Sequence, residues 1–229
     1  MFVLNLHVFK LKIMRYLLTS LTVIMLAGLS SCTRDDRYYP QPDYPQSYTF
    51  VDEFTDNRNQ WNFTDNAYLA YGYISNGTYK IDYENNVSPA YYVSKNIHFN
   101  RYDDFTIYTR IGSDNNMGLL FGYDSRNGSY GYSFTVSYDG YYALYDEGGN
   151  GYGDDVQAIV PLQTAGFVAG RGDWNELRLE QRGSRWIGYI NNQQVFNIEA
   201  QPLYGTNVGF ILMSDTHGEA DYIETDWYE

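Results

Sequence analysis

Residues 174 to 192 decide the fold class, and they read Trp-Asn-Glu-Leu-Arg-Leu-Glu-Gln-Arg-Gly-Ser-Arg-Trp-Ile-Gly-Tyr-Ile-Asn-Asn. Leu177 and Leu179 alternate with charged residues, which is the period of two expected of a β-strand with one buried face. A second run, from Trp186 to Ile190, is rich in aromatic and β-branched residues. The stretch therefore predicts strands of a two-layer sandwich whose outer face contacts water.

The pattern extends over the chain from Ser47 to Glu229, where no long segment places apolar side chains at helical spacing. Asn76-Gly77, Asn127-Gly128 and Asp139-Gly140 predict type I′ hairpin turns, and Asn191-Asn192 is a weaker match. We therefore expect an all-β, antiparallel jelly-roll β-sandwich of about 12 to 14 strands. The predicted strands are Tyr48 to Phe54, Tyr68 to Ile74, Thr78 to Glu84, Phe105 to Ile111, Leu119 to Tyr123, Tyr130 to Tyr138, Tyr141 to Tyr145, Glu176 to Arg182, Trp186 to Ile190, Gln194 to Ile198, Val208 to Met213 and Ala220 to Tyr228.

Length and composition narrow the possible functions. The chain has 229 residues, of which 44% are hydrophobic, which suits one domain with an N-terminal appendage. A single Cys excludes an intramolecular disulfide. The net charge is −13, and the first 31 residues hold three basic residues and no acid, so the remainder carries −16. This charge repels phosphate backbones and anionic lipid head groups, so nucleic acid and a basic membrane patch are not expected.

The N-terminus predicts a lipoprotein signal peptide over residues 1–31, with Met14 as an alternative start that would make residues 1–13 a misassigned extension. The apolar run from Tyr16 to Leu29 is shorter than the roughly 20 residues that a membrane-spanning helix needs. Leu29-Ser30-Ser31-Cys32 resembles the lipobox of bacterial lipoproteins, which implies cleavage before Cys32 and lipidation of that residue. A secreted protein with a chance Cys at this position is the alternative.

Residues 32–47 hold the lipidated Cys and a linker rich in Pro and Tyr. Extended polyproline geometry gives this linker a reach of about 45 Å. The acidic segment Thr33 to Asp36 resembles a surface-export signal of some Gram-negative lipoproteins. We therefore expect an outer-membrane lipoprotein, surface-exposed in preference to periplasm-facing, whose contact with the membrane is the lipid anchor only and whose domain spans residues 48–229.

A family resemblance rests on three segments: Val51-Asp52-Glu53-Phe54 followed by Trp61, residues 174–192, and Asn207 to Phe210. They resemble the concanavalin A-like (laminin G-like) jelly-roll superfamily, in particular its 3-keto-disaccharide hydrolase or LamG-like domains. Asn192 stands where the family usually has Gly. The resemblance implies the jelly-roll fold and a tendency to bind glycans, and it does not by itself imply catalysis.

The most enzyme-like motif is Glu219, Asp221 and Glu224, which matches the Glu-x-Asp-x-x-Glu pattern of laminarinase-type retaining glycosidases of this fold. Such enzymes use two carboxylates about 5 to 5.5 Å apart as nucleophile and acid/base. In a regular strand Glu224 faces away from the other two, so a β-bulge would be needed to return it. Because the motif lies at the end of the chain, we expect solvated side chains on a terminal strand rather than a catalytic pair.

A calcium ion is a second possibility, since members of this superfamily often hold one between the first and last strands. Asp52, Glu53 and Asp221 are the available oxygen ligands. The alternative is that these acids serve solubility alone. His98 and His217 lack the spacing of zinc ligands, so no zinc site is expected. Apart from this possible calcium ion, we expect no cofactor.

Tyr accounts for 26 residues, more than a core demands. Its rings stack on sugars and its hydroxyls donate hydrogen bonds, although high β-propensity alone could explain the number. We place a glycan site on the hairpin from Tyr130 to Tyr145 and the loop that follows. We therefore expect a non-catalytic module that binds glycan or another envelope component, with a glycoside hydrolase or a structural envelope component as alternatives. The predicted ligand-binding residues are Tyr130, Tyr132, Tyr141, Tyr142, Tyr152, Asp139, Asn150 and Asp155.

Overall fold

The computed structural model describes residues 46–85, 88–126, 130–148 and 156–228. Over these ranges the chain forms fifteen β-strands and no helix long and apolar enough to cross a membrane. The strands are β1 Ser47–Asp52, β2 Phe63–Asp65, β3 Ala70–Ser75, β4 Thr78–Tyr83, β5 Ala90–Asn96, β6 Phe105–Ser113, β7 Asn116–Asp124, β8 Tyr130–Ser137, β9 Tyr141–Asp146, β10 Gln157–Thr164, β11 Trp174–Arg182, β12 Arg185–Ile190, β13 Gln193–Glu199, β14 Asn207–Met213 and β15 Thr216–Tyr228.

The strands form two antiparallel sheets. The nine-stranded sheet has the order β13-β12-β11-β6-β15-β4-β3-β2, and β1 pairs with the second half of β15. The six-stranded sheet has the order β10-β9-β8-β7-β14-β5. The predicted all-β sandwich is thus confirmed, with strands at each of the twelve predicted positions. The prediction missed the three-residue β2, the edge strand β5 and the edge strand β10, which Pro161 and two register shifts make irregular.

The decisive stretch behaves as its alternation predicts. Leu177 and Leu179 are fully buried, and the charged residues that alternate with them, Glu176, Arg178 and Glu180, are half-buried. Trp186 is also fully buried and lies 4.8 Å from the ring of Tyr132 and 5.2 Å from that of Phe121, both on the opposite sheet. These contacts join the two sheets at the centre of the core.

Two of the predicted type I′ turns have the required backbone. Asn76 and Gly77 have φ values of 56° and 75°, and Asn191 and Asn192 have values of 49° and 63°. Asparagine at position 192 therefore fills a site where the resembling family usually has Gly. The prediction is wrong for Asp139, which is not among the residues with positive φ, whereas Gly140 is at 90°. Asn127-Gly128 lies outside the described residues.

The six-stranded sheet departs from the predicted wet outer face. Its middle strands are buried on both sides, and the outward-facing Leu120 and Ile211 are as inaccessible as the core. Ser133, Thr135 and Ala143 occupy outward positions on β8 and β9 and are also buried. In β8 the polar Ser133 and Thr135 still alternate with apolar core residues, but these small outward side chains are buried, so the alternation does not mark a face exposed to water.

Candidate functional site

The structure does not assemble the predicted tyrosine site. Tyr132 and Tyr142 point into the core and are 2% and 6% exposed. The hydroxyl of Tyr132 donates to the carbonyl oxygen of Pro202 at 3.0 Å, and that of Tyr142 donates to Oε1 of Gln163 at 3.0 Å. Both rings are therefore structural, and the prediction that they contact ligand is corrected.

The remaining predicted residues lie at opposite ends of the hairpin. Tyr130 begins β8, whereas Asp139 and Tyr141 lie beyond its far end, where Oδ1 of Asp139 accepts a hydrogen bond of 2.5 Å from Ser137. At about 3.3 Å per residue, β8 separates the two groups by roughly 23 Å. One small ligand cannot contact both groups. Tyr152, Asn150 and Asp155 lie outside the described residues.

Tyr130 belongs instead to an aromatic cluster that the sequence analysis missed, centred on Tyr204 in the loop between β13 and β14. The ring centre of Tyr204 lies 5.3 Å from the ring centre of Tyr130 and also 5.3 Å from that of Tyr132. Its hydroxyl donates to Oδ2 of Asp146 at 2.9 Å. Tyr204 still exposes 37% of its surface, so a fixed ring meets solvent here.

Arg101, in the loop between β5 and β6, extends this cluster. Its Nη1 donates to the carbonyl oxygens of Tyr204 at 2.6 Å and Leu203 at 3.1 Å. Its Nη2 donates to the hydroxyl of Tyr102 at 2.9 Å, and the guanidinium lies 5.0 Å from the centre of that ring. Tyr102 is 78% exposed. We call Arg101, Tyr102, Tyr130, Asp146 and Tyr204 the Tyr204 platform.

The backbone next to Tyr204 is hydrogen-bonded to β7. The N–H of Gly205 donates to the carbonyl oxygen of Gly122 at 2.8 Å, and a Cβ at position 205 would collide with the carbonyl oxygen of Tyr123. Burial, and secondarily the hydrogen bond to Asp146, raise the pKa of Tyr204, so its hydroxyl remains a donor at neutral pH. The Pro-Leu-Tyr-Gly segment gives only a turn signal in sequence, which is why the residue was overlooked.

Glu147 follows Asp146 but is 2% exposed. One carboxylate oxygen accepts a hydrogen bond from the Ser133 hydroxyl, and the other accepts one of 2.9 Å from Tyr92. Tyr92 stacks on Tyr123 with 5.7 Å between ring centres. Burial raises the pKa of Glu147, and the two donors oppose that effect. This buried network is separate from the exposed rings of the platform.

The glycosidase-like motif lies in the middle of the nine-stranded sheet, between β6 and β4, rather than at its margin. Asp221 is the extra residue of a β-bulge. Ala220 pairs with Ile111 and Tyr222 pairs with the adjacent Arg110, which leaves Asp221 without a partner position on β6. The bulge places Glu219 and Glu224 on the same outer face, which a regular strand would not do.

The three carboxylates of the motif have different environments. Glu219 forms an ion pair with Lys80, and Asp221 forms one of 2.9 Å with Arg110. Partial burial and, to a smaller degree, Asp226 raise the pKa of Glu224. Asp221 and Glu224 line an open depression of about 420 Å³. Two of the three acids are thus held by basic residues of neighbouring strands.

The three candidate calcium ligands do not converge. Asp52 faces the core, where its carboxylate accepts hydrogen bonds from the backbone N–H of Phe54 at 2.8 Å, from Asn59 at 2.7 Å and from the indole of Trp61 at 2.7 Å. Glu53 and Asp221 line the outer depression. Over the described ranges no three His, Cys, Asp or Glu side chains are grouped so that they could hold a metal ion.

No protein-family model matches the chain, and no curated protein is significantly similar to it. Among solved structures, it is similar to carbohydrate-binding module CBM66 from Bacillus subtilis, with 16% identity, a TM-score of 0.42 and coverage of 66% of this chain and 82% of that one.

Two further solved structures are similar at comparable levels. The CBM2 module of the evolved Dit of Lactobacillus casei BL23 phage J-1 has 10% identity and a TM-score of 0.48, covering 80% of this chain and 97% of that one. An endo-β-1,3-glucanase from Pyrococcus furiosus has 11% identity and a TM-score of 0.47, covering 79% and 94%. We carry no functional residue over from these structures.

Proposed function

We propose that the sandwich is a non-catalytic glycan-binding domain and that the Tyr204 platform is its binding surface. The observation that carries this proposal is that the half-exposed ring of Tyr204 is fixed by two neighbouring rings and by Asp146. A fixed ring loses little conformational entropy when a sugar stacks on it. Arg101 and Asp146 add a donor and an acceptor for hydroxyl groups beside the ring.

A binding role agrees better with the outer face of β15 than hydrolysis does. Hydrolysis by a retaining mechanism needs one carboxyl group as nucleophile and another that donates a proton. Glu219, one member of the candidate pair with Glu224, is instead paired with Lys80, and the intervening Asp221 is paired with Arg110. We therefore propose that the Lys80–Glu219 and Arg110–Asp221 ion pairs are structural contacts on the outer surface of the sheet and take no part in catalysis.

We further propose that the domain is tethered through lipid on Cys32 to the outer membrane and faces outward. The lipobox-like Leu29 to Cys32 and the proline-rich residues 33–47 support this arrangement, and both lie largely outside the described residues. Several acyl chains on one Cys would anchor the protein stably, since each buried methylene contributes about 0.8 kcal/mol. The linker would let the platform reach glycan or another envelope component beyond the membrane surface.

The test is a glycan array probed with the full-length protein in detergent. We expect a defined set of glycans to be retained and Tyr204→Ala to weaken that retention by about 5- to 30-fold, the effect of losing one ring contact. Tyr73→Ala is the matched control, because Tyr73 is 44% exposed on β3 in the other sheet.

Retention that survives Tyr204→Ala would refute the placement, and an array without any bound glycan would refute the function. Release of reducing sugar from a β-glucan, lost in both Glu219→Gln and Glu224→Gln, would replace binding by hydrolysis.

A further inference from the structure

Arg101 is held by neutral oxygens alone. Its three hydrogen bonds go to two backbone carbonyls and to the hydroxyl of Tyr102. No ion pair within the described ranges includes it, whereas Arg58, Arg110 and Arg126 each pair with an Asp. Since a guanidinium has five N–H donors, the Nε–H and one Nη2–H have no hydrogen-bond partner in the described part of the chain.

Four carboxylates near Arg101 in sequence or in space have other partners. Asp103 accepts a hydrogen bond from Asn100, and Asp104 accepts one from the backbone N–H of Gly183. Asp124 influences Arg101 electrostatically but forms its ion pair with Arg126 at 3.0 Å. Asp146 accepts the hydrogen bond from Tyr204. Arg101 therefore forms no ion pair within the described residues, and its guanidinium is fixed beside the exposed ring of Tyr102 and the backbone of Tyr204.

We propose that Arg101 makes the Tyr204 platform selective for glycans that carry a carboxylate, that is, for uronic acid residues. This inference rests on the proposed function. A sugar ring stacked on Tyr204 or Tyr102 would bring its carboxylate to the free N–H donors of Arg101. A planar guanidinium matches a carboxylate with two parallel hydrogen bonds, which a neutral hydroxyl cannot accept in the same way.

The charge of the whole domain opposes such a ligand mainly at long range, whereas Asp146 lies at the platform itself, where it accepts the hydrogen bond from Tyr204. At 0.15 M salt the screening length is about 8 Å, so most of the acidic residues contribute little at the platform. Contact with Arg101 is shorter than this length and is screened less. Selection therefore comes from the contact itself and should persist at physiological salt.

The experiment compares two polymers with the same backbone, polygalacturonate and its fully methyl-esterified form, by affinity electrophoresis at 0.15 M salt. We expect the full-length wild type to bind polygalacturonate at least tenfold more tightly than the ester. Arg101→Gln should abolish this preference, and Arg101→Lys, which keeps the charge without the planar fork, should retain part of it. Arg58→Gln changes the net charge equally at an exposed site remote in sequence and should leave the preference intact.

The outcomes separate this inference from the function on which it rests. Equal binding of the two polymers by the wild type, or a preference that persists in both Arg101 variants, overturns selection by Arg101 and leaves glycan binding in place. If the wild type binds neither polymer but still binds other glycans on the array, selection by Arg101 is likewise overturned and glycan binding stays in place. An array without bound glycan overturns the proposed function. If Arg101→Gln fails to fold, the Arg101→Lys comparison decides.

Discussion

The hydroxyl of Tyr204 donates a 2.9 Å hydrogen bond to Asp146, a residue 58 positions earlier in the chain. This bond ties the loop between β13 and β14 to the end of β9. Together with the ring contact to Tyr130, it sets the angle at which Tyr204 meets solvent. The orientation of the surface that we assign to glycan binding thus depends on a contact between distant segments.

Replacing Tyr204 by Phe keeps the ring and removes this bond. We expect the free energy of unfolding to fall by about 1 kcal/mol. Glycan affinity should fall less than in Tyr204→Ala, because the stacking surface remains. Urea unfolding and array titration measure the two effects, with Tyr73→Phe as the control. An affinity as low as that of the Ala variant would show that the ring alone is not sufficient, and that the hydroxyl or the ring orientation set by its bond to Asp146 is required.

Asp52→Asn should destabilise the fold strongly. Two donors, from Asn59 and Trp61, point at the same carboxylate oxygen, and a third points at the other. An amide cannot accept all three, so a buried donor is left without a partner at a cost of about 2 to 3 kcal/mol. The midpoint of urea unfolding reports this loss. Glu53→Gln, at the exposed neighbouring position, should stay within about 0.5 kcal/mol of the wild type, and an equal effect in both variants would contradict the assignment.

Glu147→Gln should change how stability depends on pH. Because the folded state raises the pKa of Glu147 above 4.5, this residue contributes most below that pH, and its contribution is lost as pH rises through the raised pKa. The wild type should therefore lose stability relative to the Gln variant as pH increases from 4 to 8, by about 1.4 kcal/mol for each pH unit of the pKa shift.

Unfolding of both proteins at a series of pH values tests this expectation. Glu199→Gln, on the exposed edge of β13, is the control and should run parallel to the wild type. A constant difference between wild type and Glu147→Gln over the whole range would mean that the carboxyl titrates alike in the folded and unfolded chains.

Cys32→Ala should release the protein from membranes. The prediction rests on the lipobox-like segment, because lipid on Cys32 would be the only attachment. Fractionation of cells followed by detection of the protein measures it, and Gln41→Ala, in the linker outside the lipobox-like segment, is the control. A Cys32→Ala protein that remains in the membrane fraction as the wild type does would refute the anchor.

The sequence determined the fold class because strand signals are local. The alternation at Leu177 and Leu179 and the paired asparagines at 191 and 192 act within a few residues, and both appear in the structure as predicted. Prediction failed at β2, which has only three residues, and at β10, which Pro161 interrupts. It also missed the edge strand β5, although that strand contains a Tyr-Tyr-Val run.

Tertiary structure alone decided which side chains are available for function. Tyr132, in β8, and Tyr204, in the loop before β14, stack on each other, yet the first lies in the core and the second meets solvent. The bulge at Asp221 reversed the face of Glu224, which no local pattern indicates. The physical reason is that a period of two shows that the faces of a strand differ, whereas pairing with strands distant in sequence determines which face is buried and which loops meet.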